Sequence, residues 1–158
     1  YFWNNWFLNR IDTTQDFIGL NHYSRNVINN GFNKNPNERR TDIGWEFHPE
    51  SIYQALIELK PYGKPIYITE NGLADRSDSL RKEFLTRALI AVHRATEDGA
   101  KVKGYLYWSL IDNFEWDKGF WPCFGLIEVD RATLVRTIRP SARYYAEICK
   151  TNTVEVPD

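Results

Sequence analysis

The run Ile66-Tyr67-Ile68-Thr69-Glu70-Asn71-Gly72 carries a β-branched and aromatic strand directly into a carboxylate and then a glycine turn. Glu70 is thereby held at the C-terminal end of a strand, where parallel α/β architectures collect their chemistry. A carboxylate there can be a nucleophile, a general base or a metal ligand, or, ahead of Asn-Gly, a solvated turn residue. A second run, Gly104-Tyr105-Leu106-Tyr107-Trp108-Ser109-Leu110-Ile111-Asp112-Asn113-Phe114-Glu115-Trp116, again ends a hydrophobic strand in rings and acids. A third, Asp16-Phe17-Ile18-Gly19-Leu20-Asn21-His22-Tyr23, closes on Asn21 and Tyr23, which the two-residue period of a strand puts on one face. His22 points to the other face and reads as structural.

These groups need elements to hold them. Strands are expected over residues 16–21, 65–69 and 103–109. Pro49 opens a helix whose Ile52, Ala55, Leu56 and Leu59 recur at helical spacing, ending near Pro61-Tyr62-Gly63. Asp78 is the expected N-cap of a longer helix, with a stripe of Phe84, Leu85, Ala88, Leu89, Val92 and Ala95 that stops at Gly99. Residues 29–41, polar and without periodicity, read as an exposed loop. Residues 126–129 and 134–137 flank Asp130-Arg131-Ala132-Thr133 as a short hairpin. A last helix starts at Pro140 with Ala142, Tyr145 and Ile148 inward, and the tail frays from residue 151. Residues 1–8 read as the end of a helix or a loop with further sequence before it.

Strand and helix alternate, which implies parallel strands joined by right-handed crossovers. Three such units are visible, whereas a closed (β/α)8 barrel needs about 250 residues. The fold class is therefore α/β. With 42% hydrophobic residues and a net charge of −1, the chain of 158 residues can bury a core of single-domain size and carries no nucleic-acid footprint. Cys123 and Cys149 lack zinc-ligand spacing and suggest reduced thiols, a cytoplasmic location and no disulfide framework. No apolar run has membrane-spanning length, and a signal peptide is not evident. Aromatic residues make up 15% of the chain, with six Trp, enough to divide between a core and the flat faces on which sugar rings stack.

The three runs together resemble glycoside hydrolase family 1, the retaining β-glycosidases, over essentially the whole chain. Residues 66–74 fit the family's nucleophile signature and residues 108–116 its sugar-binding signature. The resemblance implies that residues 1–158 are the C-terminal part of one TIM-barrel catalytic domain, its last three βα units, with no second domain. It implies Glu70 as the nucleophile, Tyr23 as its hydrogen-bonding support, and Asn21 on the sugar's 2-hydroxyl. Glu115 and Trp116 would grip the far hydroxyls, Trp108 would form the floor under the sugar, Phe124 would line the same subsite, and Trp45 would carry the leaving group. Cys123 stands where the family commonly has Arg, so the loop before Phe124 departs from the pattern.

Retaining glycosidases use two carboxyl groups about 5–5.5 Å apart. The family's acid/base Glu lies in an Asn-Glu-Pro motif, which this sequence lacks. A complementary N-terminal barrel segment is the expected partner, and an unphosphorylated β-glycoside or oligosaccharide the expected substrate, because the Lys and Tyr of the phosphosugar-specific members are missing from the loop. Neither a metal nor an organic cofactor is expected, nor any nucleic-acid or membrane partner. The rival reading is a carbohydrate-binding or inactive fragment of the same fold; retention of Glu70 favours descent from a working enzyme.

Overall fold

The structure, a computed structural model, describes residues 5–155. The readings made for residues 1–4 and for the end of the tail lie outside the described residues. The elements are α1 (Trp6–Ile11), β1 (Ile18–Asn21), β2 (Ile28–Asn29), β3 (Phe32–Asn33), α2 (Ser51–Leu59), β4 (Ile66–Asn71), α3 (Arg81–Glu97), β5 (Val102–Tyr107), β6 (Ile127–Val129), β7 (Arg136–Ile138) and α4 (Pro140–Thr151). β1, β4 and β5 form one parallel sheet in that order, with α2 and α3 as the crossovers. Consecutive strands are neighbours, as short helical crossovers require.

Alternation along β4 decides which face is core. Ile66 and Ile68 are fully buried and join Ile18 of β1, Ile52 and Leu56 of α2, and Ala91, Val92 and Ala95 of α3 in one cluster. Each large aliphatic side chain there contributes about 1.5–3 kcal/mol on leaving water. The opposite face carries Tyr67 and Leu106, which are 37% and 54% exposed, so only one side of the sheet is covered. α4 completes the third βα unit: its Tyr144 hydroxyl lies 2.6 Å from Thr86 Oγ1 on α3, and its Tyr145 hydroxyl donates to the Tyr105 carbonyl at 3.2 Å. No helix among the described residues is long and apolar enough to cross a membrane.

Two expectations need correction. Asp78 does not cap α3, because its carboxylate accepts from the backbone and hydroxyl of Ser141 and pairs with Arg81. Asp75 takes the role, with Oδ2 accepting from the backbone N–H groups of Leu80 (2.8 Å) and Arg81 (3.2 Å). The stretch 29–41 is not wholly loop either. Ile28–Asn29 pairs antiparallel with Phe32–Asn33 around Asn30-Gly31, both at positive φ (50° and 80°), as a two-residue hairpin turn demands.

Candidate active site

The mouth of the sheet is shaped by an irregularity at the end of β4. Pairing with β1 runs Leu20 to Ile68 and then Asn21 to Glu70, passing over Thr69; pairing with β5 skips similarly between Ile68 and Asn71. Strict alternation would send Glu70 to the helix side with Ile66 and Ile68. The bulge turns it out of that row, a known use of such irregularities beside active sites. Asn71 is buried in its place, donating to the His22 carbonyl and accepting from the Tyr105 hydroxyl at 2.6 Å.

Two close backbone approaches lock the strand ends together. A Cβ on Gly72 would lie 2.0 Å from the Trp108 carbonyl oxygen, so only glycine lets the segment after Glu70 pass the end of β5. Trp108 N–H donates to the Asn71 carbonyl at 3.0 Å, and the Trp108–Ser109 peptide bond is cis. Farther along, a Cβ on Gly125 would meet Asp112 N at 2.3 Å. There Arg139 grips Asp112 with two nitrogens, at 3.2 and 3.0 Å, and donates to the Gly125 carbonyl at 2.7 Å. This buried fork pins both strands of the loop that leads from Trp108 to Phe124.

Tyr23 donates its hydroxyl proton to Glu70 Oε2 at 2.6 Å. Burial, and then the hydrogen bond to Glu70, push the Tyr23 phenol far above its ordinary pKa, so it stays a donor at any physiological pH. The Tyr23 ring lies 5.6 Å from Trp45 and 5.8 Å from Phe124, whose own rings are 6.2 Å apart. Phe124 is buried behind this group, whereas Trp45 keeps 39% of its surface exposed. On the other flank, Trp108 Nε1 donates to Glu115 Oε1 at 3.2 Å. Glu115 is held by its N–H on the Gly119 carbonyl at 2.7 Å, and its pKa is raised, chiefly by desolvation and further by the charge of Glu70, against the opposing Trp108 hydrogen bond.

Tyr23, Glu70, Trp45, Phe124, Trp108 and Glu115 thus gather at one end of the sheet. Two residues of the expected set sit apart. Asn21 is the sheet partner of Glu70, but its side chain turns to Thr69, with Oδ1 accepting from Thr69 Oγ1 at 2.6 Å. The Trp116 ring is 85% exposed, at the start of a 3₁₀ turn over Trp116–Lys118. His22 faces away as expected, 2.9 Å from Ser51 Oγ, with its pKa lowered to about 4 by burial first and by His48 second. The supports Asn71, Asp112 and Arg139 were not singled out from sequence, although Asn71 directly follows Glu70 and Asp112 lies inside the acidic-aromatic run.

Among the described residues no group of His, Cys, Asp and Glu could hold a metal ion. What remains is a carboxylate with a fixed phenol donor, flanked by a second carboxylate and a set of rings. Such a set can attack an electrophilic carbon while binding hydroxyls and a flat apolar face.

Comparison with known proteins identifies the family. The profile of Glycosyl hydrolase family 1 matches residues 6–154. A beta-galactosidase of Sulfolobus acidocaldarius is 41% identical over 155 residues, covering 87% of this chain and 32% of that protein. Among solved structures, the beta-glycosidase from Pyrococcus horikoshii superimposes with a TM-score of 0.80 at 44% identity, over 89% of this chain and 36% of that one. The beta-glucosidase from Thermotoga maritima in complex with glucoimidazole gives 0.86 at 32% identity, over 93% and 37%. The chain spans about a third of the length of the curated relatives it matches. Its three βα units are part of a TIM barrel, and the chain belongs to glycosyl hydrolase family 1.

Proposed function

We propose that this chain supplies the nucleophile and sugar-binding half of a retaining β-glycosidase acting on unphosphorylated β-glycosides. The observation that carries the reading is the Tyr23–Glu70 contact at 2.6 Å, at the C-terminal end of a barrel strand and between two aromatic flanks. Glu70 Oε1 or Oε2 attacks the anomeric carbon, the bond to the leaving oxygen breaks, and a glycosyl ester forms; water then cleaves that ester. Tyr23 orients the carboxylate so that one oxygen faces the sugar. Trp108 and Glu115, joined by their own hydrogen bond, present an indole face and carboxylate lone pairs to sugar hydroxyls. Trp116 closes on the sugar by moving its exposed ring, and Asn21 reaches the 2-hydroxyl by exchanging Thr69 for it. The proton for the leaving oxygen comes from a carboxylic acid on the complementary N-terminal barrel segment, residues 1–158 forming the C-terminal part of one catalytic domain. Two inversions at one carbon give net retention. Proton NMR of the first product of an assembled enzyme should therefore show the β-anomer before mutarotation, and an initial α-anomer would refute the double displacement.

Glu115 tests the sugar clamp separately. Glu115→Gln should raise KM and lower kcat, each by about tenfold, since a charge-assisted hydrogen bond is worth about 1.5–3 kcal/mol and remote binding energy serves the transition state. Because the Glu115 pKa is raised, its binding form is lost on acidification at a higher pH than an ordinary carboxylate would show. Wild-type affinity should fall through that range, and the Gln variant should be flat there. Full activity of the variant on glucosides would remove Glu115 from the clamp.

A further inference from the structure

We propose that the cavity beside Tyr23 accepts a leaving group bearing a carboxylate, held by Lys34 and Arg40. The inference rests on the reading of Glu70 as nucleophile, because Tyr23 lines the cavity and also donates to Glu70. The cavity, open to solvent, has a volume of about 690 Å³ and is lined by Tyr23, Arg25, Lys34, Arg40, Trp45 and Glu46 among others. That volume lies in the range of small-molecule sites.

Its charges do not cancel. Arg25 Nε lies 3.0 Å from Glu46 Oε2, and the Glu46 side chain is fully buried, so those two neutralise each other. The second Glu46 oxygen is spent on the Asn37 N–H at 2.9 Å. Among the described residues no acidic side chain pairs with Lys34 or Arg40. Lys34 and Arg40 therefore line this cavity without an acidic partner among the described residues. Their backbones are ordered: Lys34 N–H donates to the Val27 carbonyl at 2.7 Å beyond the β2–β3 hairpin, and Arg40 bridges Glu46. Trp45, half-exposed and with its backbone N–H donating to Thr41 Oγ1 at 3.2 Å, adds a flat apolar face next to them. A planar ring for Trp45 and a carboxylate for the cations describe an aromatic acid linked through a phenolic oxygen.

The test compares 4-carboxyphenyl and 4-carbamoylphenyl β-glucosides with the full-length protein that contains this chain. The ratio of their kcat/KM values, taken between wild type and a Lys34→Gln/Arg40→Gln variant, cancels the intrinsic difference in leaving-group reactivity. Exposed ion contacts are each worth up to about fivefold, so the ratio should fall about fivefold in the variant. Raising the salt concentration on wild type should reduce it in the same direction. Saturation-transfer NMR with 4-hydroxybenzoate and 4-hydroxybenzamide reads the same preference without turnover. Hydrolysis with a ratio unmoved by variant or salt overturns the inference and leaves the glycosidase reading standing. Preferential 4-hydroxybenzoate binding that disappears in the variant, with no hydrolysis of either glucoside, supports the charged subsite and refutes the hydrolytic reading.

Discussion

Glu70→Gln should lower turnover of an aryl β-glucoside by about 10⁴–10⁶-fold, the scale of loss when a nucleophile is removed from a set of groups that act together. The substitution is chosen because it isolates the chemistry. Gln keeps the size of Glu and an oxygen that can accept from Tyr23, so the 2.6 Å contact has a neutral substitute. What disappears is the negative oxygen proposed to form the ester to the anomeric carbon. Ligand binding should survive, and thermal stability should change little, because Glu70 is half-buried at a strand end rather than part of the core between sheet and helices. A loss smaller than tenfold in kcat, with the variant folded, would mean that another group makes the covalent bond.

The largest stability effect should come from Arg81→Met. Arg81 is fully buried at the start of α3 and is used along its whole side chain. Nε donates to the Tyr107 hydroxyl at 2.8 Å, Nη2 to the carbonyls of Asp75 (2.6 Å) and Cys123 (3.0 Å), and Nη1 pairs with Asp78. It thereby joins the loop after Glu70, the end of β5, the segment before Phe124 and, through Asp78 and Ser141, the start of α4. Methionine fills much of the volume but leaves the Asp78 charge without its cation, and removes one of two donors from each of the Asp75 and Cys123 carbonyls, which keep the backbone N–H groups of Asp78 and Asp75. Breaking a buried pair from one side costs about 3–5 kcal/mol. Tyr107, pushed up to about 12 by burial despite the opposing charge of Arg81, would also lose the cation that favours its ionised form. Denaturant titration of the variant should show that loss as a lower midpoint with an unchanged slope. A midpoint within error of wild type would show that the network adds nothing to stability.

The alternation of strands and helices was legible because each helix of the barrel has one apolar stripe and each strand a compact β-branched run. Phe84, Leu85, Ala88 and Ala95 repeat at helical spacing and are all buried, while Ile66 and Ile68 alternate with exposed Tyr67. The Asn30-Gly31 turn was missed, although Asn-Gly is a hairpin signal, because the strands on either side of it are only two residues long. Asp75 as the cap of α3 was not, because local spacing favours Asp78 equally; what decides is tertiary, since Asp78 is taken by Ser141 and Arg81. The site shows the same division. Residue types placed Glu70, Tyr23 and Trp108 at strand ends and Glu115 in the loop beyond the last of them, yet a two-residue period alone would have turned Glu70 toward the helices. The bulge that re-aims it arises from pairing with two neighbouring strands at once. Asn71, Asp112 and Arg139 were invisible as supports for a related reason: their partners are 13 to 49 residues away in the chain.

The most direct test of Glu70 as nucleophile is to trap the intermediate it should form. A 2-deoxy-2-fluoro-β-glucoside with a good leaving group slows both steps by destabilising the oxocarbenium-like transition states, so the glycosyl ester accumulates when its formation outpaces its hydrolysis. After digestion of the assembled enzyme, mass spectrometry should find one peptide heavier by a fluoroglucosyl group, with fragmentation placing the addition on Glu70. A label on Glu115, or on a residue outside this chain, would contradict the assignment.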